Sequence, residues 1–198
     1  MPAAVQFPNA PGGPPPRKKF TRAEVDRMTD AGVFAGQRYE LIEGDLLNKM
    51  GQNPPHASAI SLLIELLANI FGLRRLRAQL PIEVSGKDQE VSSPEPDIAV
   101  TSGTRADYLK RHPQGKELVL LVEVADSTLT HDCTTKRDLY ARAGVPEYWV
   151  LDLSGNRLLV FRKPAQGVYA ESLIFAESEM IGVPGSAARL PVSSMLAG

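Results

Sequence analysis

The segment Leu118-Val119-Leu120-Leu121-Val122-Glu123-Val124 constrains the fold more than any other part of the chain. A near-continuous apolar run without alternation reads as a strand covered on both faces, so the chain has to supply packing layers above and below it. Glu123 interrupts the run near its end. A carboxylate buried there costs several kcal/mol unless a partner or a metal ion compensates it.

The helix that follows offers one partner. Helical periodicity runs from about Asp132 to Ala143, with an N-cap at Thr130 or Asp132, a stop at Gly144, and Pro146 preventing continuation. Lys136, Leu139, Tyr140 and Ala143 recur at i, i+3, i+4 and i+7, which turns the lysine toward the sheet. Only the loop from Ala125 to His131 separates this helix from the strand of Glu123, so the two charges can meet. Asp97, after Pro96, opens another predicted strand (97–101). Two neighbouring strands can bring two carboxylates to one point, as an oxygen-ligated divalent cation requires. Metal-assisted phosphodiester hydrolysis uses this residue set: two carboxylates hold Mg2+ among waters, and a lysine orients the attacking water or neutralises developing charge. A Glu123–Lys136 ion pair, with Asp97 capping a turn after proline, accounts for the same pattern.

The rest of the chain reads as helices set against a sheet. Thr21-Arg22-Ala23-Glu24 is a capping box that predicts a helix over 22–31. Tyr39–Ile42 and Leu46–Met50 flank Glu43-Gly44-Asp45 as an N-terminal β-hairpin. Asn53-Pro54-Pro55 is read as a break, after which Ile60, Leu63, Ile64, Leu67 and Phe71 describe an amphipathic helix from His56 to Gly72. Strands are expected over 78–84, 147–152, 157–162 and 168–175, and a polar loop over 86–94. After Glu177 the expectation is a loop and a tail whose Leu190, Val192 and Leu196 pack back. The fold class is therefore α/β (α+β), with residues 20–198 as one domain behind a flexible, Pro- and Gly-rich tail over 1–19.

Composition narrows the function classes. A net charge of −1 offers no global cationic field, so any polyanion site has to be local. Cys133 is the only cysteine, which excludes an internal disulfide framework and a cysteine-based zinc site and suits a reducing compartment, read as the cytoplasm. The start of the chain has no basic and apolar leader pattern, and no stretch reaches the ~18 uninterrupted apolar residues of a membrane span.

Asp97 after Pro96, Glu123-Val124 ending an apolar strand, and the stretch from Asp132 through Lys136 to Tyr140-Ala141-Arg142-Ala143-Gly144-Val145-Pro146-Glu147-Tyr148-Trp149-Val150-Leu151-Asp152 resemble the Uma-type restriction endonuclease family. That family belongs to the PD-(D/E)XK nuclease-like superfamily. The resemblance extends to Tyr39-Glu40-Leu41-Ile42-Glu43-Gly44 and to His56, and covers about Phe20 to the end. It implies a restriction endonuclease-like mixed β-sheet flanked by helices. It also implies a divalent metal at Asp97 and Glu123, Mg2+ with Mn2+ as the alternative, and a catalytic lysine. Ala125 stands at the third position of the (D/E)XK motif, and Lys136 matches a lysine moved onto the next helix. The Val124 carbonyl is expected as a further ligand.

The implied activity is endonucleolytic hydrolysis of nucleic acid, read as DNA, by a homodimer whose surface lies in the β-rich region from Glu147 to Phe175. The alternative is a non-catalytic nucleic-acid-binding or regulatory domain with the same fold. Glu40 matches the family's early acidic position and is a candidate third ligand, with Glu43 as the alternative. His56 is a candidate phosphate contact or proton carrier. Arg74, Arg75 and Arg77 form a local basic cluster able to steer a backbone phosphate. Tyr148 and Trp149 read as core aromatics, and Asp132 as a helix cap, with help in positioning Lys136 as the alternative.

Overall fold

The computed structural model describes residues 17–49 and 53–196; the first sixteen residues of the tail expected over 1–19 and the predicted strand end at Met50 lie outside the described residues. Helix α1 (Arg22–Asp30) begins at Thr21, whose hydroxyl accepts from the Glu24 N–H while the Glu24 carboxylate accepts from the Thr21 N–H. Strands β1 (Tyr39–Ile42) and β2 (Asp45–Asn48) form the expected hairpin. Glu43 and Gly44 make its turn at φ 48° and 82°, the two-residue geometry that matches the strands' twist.

Helix α2 (Pro54–Phe71) starts two residues before His56, because its prolines open the helix instead of breaking the chain. Asn53 caps it by accepting from the His56 N–H at 3.0 Å, and the prolines occupy first-turn positions where a missing N–H costs nothing. Strand β3 (Leu76–Ala78) is short, and the strand expected over 78–84 does not form. Gln79 sits at φ 52° and Pro81 has no N–H, so pairing ends while Ile82 and Val84 still bury. Their apolar pattern recorded burial, not a ladder. One helical turn, α3 (Asp88–Val91), lies inside the expected polar loop.

Strands β4 (Ile98–Thr101) and β5 (Leu118–Ala125) come next, then a continuous helical segment, α4 (129–142). Its middle, Asp132–Lys136, is π-helical, with the Arg137 N–H donating back to the Asp132 carbonyl. After it come β6 (Glu147–Asp152), β7 (Arg157–Ala165) and β8 (Val168–Ala176). The segment read as loop and tail contains a further hairpin, β9 (Met180–Gly182) with β10 (Arg189–Pro191). Three-residue strands are too short to show a period of two.

The main sheet has the order β3-β4-β5-β6-β7-β8. Only β5 and β6 are parallel, joined by the α4 crossover; every other neighbouring pair is antiparallel. Along β5, Leu120, Val122 and Val124 join Leu63 and Leu67 of α2 in one core. Leu121 and Ala125 join Leu139, Tyr140 and Ala143 of α4 in the other. Alternation therefore sends Glu123 to the α4 face. Gly115, just before β5, lies against the end of α4, and a Cβ there would come within 2.2 Å of the Ala143 carbonyl oxygen. Arg142 ties the same helix end to Glu43 and Asp88, at 2.7 Å each, fixing the β1–β2 hairpin beside it.

Candidate active site

Antiparallel pairing of β4 with β5 sets Ile98 opposite Val122, and Asp97 therefore falls beside Glu123 at the open end of the two strands. The Asp97 N–H donates to Glu123 Oε2 at 3.2 Å, and the Val124 N–H donates to Asp97 Oδ2 at 2.9 Å. From α4, Lys136 Nζ donates to Glu123 Oε1 at 3.0 Å, and the Tyr140 hydroxyl donates to the same oxygen at 2.9 Å. Lys136 also pairs with Glu40 Oε2 on β1 at 3.0 Å, and Glu40 Oε1 accepts from the Glu95 N–H at 2.8 Å. All four charged residues are nearly sealed: Glu40 and Glu123 are 4% exposed, Asp97 and Lys136 6%. They lie at the base of a cleft of about 750 Å³ whose lining includes His56, Asp126 and His131.

The electrostatics follow from carboxylates crowding one lysine. Burial pushes the Glu123 carboxyl up to about 8 against the pull of Lys136, with Asp97, Asp132 and Glu40 pushing the same way. Burial works to lower the pKa of Lys136, but Glu123, Glu40 and Asp132 outweigh it and hold the ammonium charged. At Asp97, burial is overcome by hydrogen bonds from His56 and Val124, and the carboxyl titrates below its usual range. His56 is held above the ordinary imidazole value by its hydrogen bond to Asp97, 3.4 Å from Nε2 to Oδ2.

The structure thus brings together Asp97, Glu123, Val124, Lys136, Glu40 and His56. Glu43 does not line the cleft: it sits in the hairpin turn and pairs with Arg142. Arg74, Arg75 and Arg77 do not line the cleft; Arg75 donates to the Thr101 carbonyl and lies over the Phe71 ring, and Arg77 contacts Pro81 and His112. Arg38 and Lys49 are the cations at the cleft wall, both paired with Glu95.

Asp132 does not cap its helix, because α4 starts three residues earlier and carries the aspartate inside the π-turn. The side chain is 3% exposed, accepts from the Thr128 hydroxyl at 2.5 Å and approaches Lys136 Nζ to 4.0 Å. Tyr140 is the site residue whose role the sequence reading passed over. Its place one turn after Lys136 on the inward stripe is the signal that marks it. Tyr148 and Trp149 are fully buried, and each spends its polar hydrogen inside the fold, on the Asp132 carbonyl and on Glu147.

A mixed sheet between helical layers, with acidic residues meeting a lysine where two strands end, defines a restriction endonuclease-like protein of the α+β class. The chain belongs to the family described as "Uma2: Putative restriction endonuclease", whose profile matches residues 22–192. Among solved structures it is similar to "a putative nuclease belonging to DUF820" from Anabaena variabilis ATCC 29413. The two are 18% identical, the match covers 89% of this chain and 97% of that one, and the TM-score is 0.66, a likeness of fold. No curated protein matches the chain.

Proposed function

We propose that this protein is a Mg2+-dependent endonuclease of the PD-(D/E)XK type that hydrolyses phosphodiester bonds in DNA, with Mn2+ able to replace Mg2+. The observation that carries the reading is the meeting of Asp97 and Glu123 on adjacent strands with Lys136 Nζ 3.0 Å from Glu123. Family membership agrees with it.

The donor set fits a small, hard cation. Among the described residues no three His, Cys, Asp or Glu side chains form a ready metal cage, but Mg2+ characteristically takes one or two carboxylates and keeps its waters. Asp97 and Glu123 would hold it, with the Val124 carbonyl alongside. Glu40, Asp97, Glu123 and Asp132 place four carboxyl groups around one lysine, and burial holds the Glu123 carboxyl protonated until a divalent ion takes the proton's place. Bound there, the ion supplies Lewis-acid polarisation of a phosphoryl oxygen and acidifies water.

The protein's own groups do the rest. Lys136, kept cationic by its carboxylate neighbours, acts as a hydrogen-bond donor and positive charge, not as a base. Two of its three N–H groups are directed to Glu123 and Glu40, which leaves one for an attacking water or a phosphate oxygen. Tyr140 fixes the rotamer of Glu123. His56, on Asp97, stands where a proton can be passed to or from the cleft. A dimer would suit a double-strand cutter, and we assign its contact to β8, the sheet edge on which Val168, Leu173 and Ile174 are exposed.

The test is cleavage of plasmid and oligonucleotide DNA with Mg2+ or Mn2+. Asp97→Ala and Lys136→Ala should each lower the rate by on the order of 10²–10³-fold. Retained cleavage in both variants overturns the site. Salt-sensitive DNA binding without cleavage by the intact protein overturns the catalytic reading in favour of a binding domain.

A further inference from the structure

We propose that Asp132, locked by Thr128, is a positioning residue that holds the Lys136 ammonium when Glu123 turns to other work. The inference deepens the proposed function and rests on its reading of Lys136 and Glu123.

Glu123 is an overcommitted partner. Its Oε1 serves both Lys136 and Tyr140, and its Oε2 accepts from the Asp97 N–H. If this carboxylate also ligates a cation, its hold on the lysine weakens, and a buried ammonium with one remaining partner has rotamer freedom in an open cleft. Two other carboxylates face Nζ. Glu40, at 3.0 Å, is pinned from behind by the Glu95 N–H. Asp132, at 4.0 Å, is pinned at three points: its Oδ2 by the Thr128 hydroxyl, its carbonyl by the Tyr148 hydroxyl at 3.2 Å, and the same carbonyl by the Arg137 N–H across the π-turn.

Asp132 and Lys136 stand at i and i+4 and so share the inner face. The π-turn spans the same five residues and ties the Asp132 carbonyl to the Arg137 N–H. Aspartate in a buried turn with three restraints and no capping role is otherwise a cost, since burial raises its carboxyl pKa even against Lys136 and Thr128. Holding the lysine in one place explains its presence, and a misplacement of about 1 Å at a reacting group costs on the order of 10²-fold in rate.

The experiment uses the full chain labelled with 15N-lysine and follows the ammonium cross-peak that Lys136→Arg removes. A shielded, hydrogen-bonded ammonium exchanges its protons slowly and gives a resolved signal. With Mg2+ present, Asp132→Asn and Thr128→Val should broaden or shift that signal and lower kcat by about tenfold or more at unchanged KM. Thr128→Ser, which keeps the hydroxyl, should restore both. Thr128→Val conserves volume, so it still decides the matter if Asp132→Asn fails to fold. No resolved signal in the unmodified protein, or an unchanged signal in Thr128→Val, overturns the proposal. If the unmodified protein cleaves nothing, the proposed activity fails, while the spectrum alone still confirms or overturns the role of Asp132.

Discussion

At the scale of single residues, the cost of Glu123 organises the site. Its folded pKa of about 8 lies above the ordinary 4.5, so the protonated form is favoured in the folded protein. That contribution to stability is fully present below pH 4.5 and is lost as the pH rises through 8. Chelator-treated protein should therefore become less stable to urea between pH 5 and pH 8, and Glu123→Gln should flatten that slope. An equal slope in the variant counts against the assignment. Mg2+ added near neutral pH should release protons as it claims the carboxylate, which calorimetry in buffers of different ionisation enthalpy detects. Lys136→Ala leaves Glu123 buried beside Asp97 and Asp132 and should cost about 3 kcal/mol or more near pH 8. Glu123 and Lys136 were legible in the sequence because a charge on an apolar stripe breaks the pattern around it. Tyr140 was not, because a tyrosine on the same stripe satisfies the pattern and its hydroxyl acts unseen.

At the scale of elements, the helix that carries the lysine shows what periodicity conveys and what it omits. The phase from Lys136 to Ala143 predicted burial correctly because that half of α4 is ordinary α-helix. The half before it begins at Leu129, three residues ahead of Asp132, so the expected cap at Asp132 failed, and residue patterns carry no mark for the π-turn that follows. Deleting Thr134 should convert the turn to α-helix while leaving Leu139 and Tyr140 seated. Asp132 and Lys136 would then stand at i and i+3, still on one face, so helicity by circular dichroism should persist and the lysine should keep its acidic neighbour. The N-terminus of α2 was misread differently: prolines signal a stop to the chain before them and a start to the helix after them. Asn53→Ala removes the side-chain acceptor from the His56 N–H and should cost about 1 kcal/mol by urea unfolding.

At the scale of the whole molecule, the apolar run of β5 forecast two packed faces, and the structure places α2 on one and α4 on the other. Strand order was not legible, since pairing partners depend on crossovers and not on local pattern. The basic cluster at 74–77 illustrates the same limit, because adjacency in the chain said nothing about which way the cleft would face. The sheet ends at β8, a nine-residue edge with Glu171 as its single charge. Ile174→Lys should shift sedimentation toward the monomer, and an unshifted profile removes β8 as the contact. The glycine at 115 has a wider effect. By admitting the Ala143 carbonyl where any side chain would collide, it clamps the far end of α4 to the root of β5. Amide deuterium uptake should be slow from Tyr140 to Ala143, and Gly115→Ala should speed it, so that one missing side chain far from the cleft sets how firmly the lysine-bearing helix is seated.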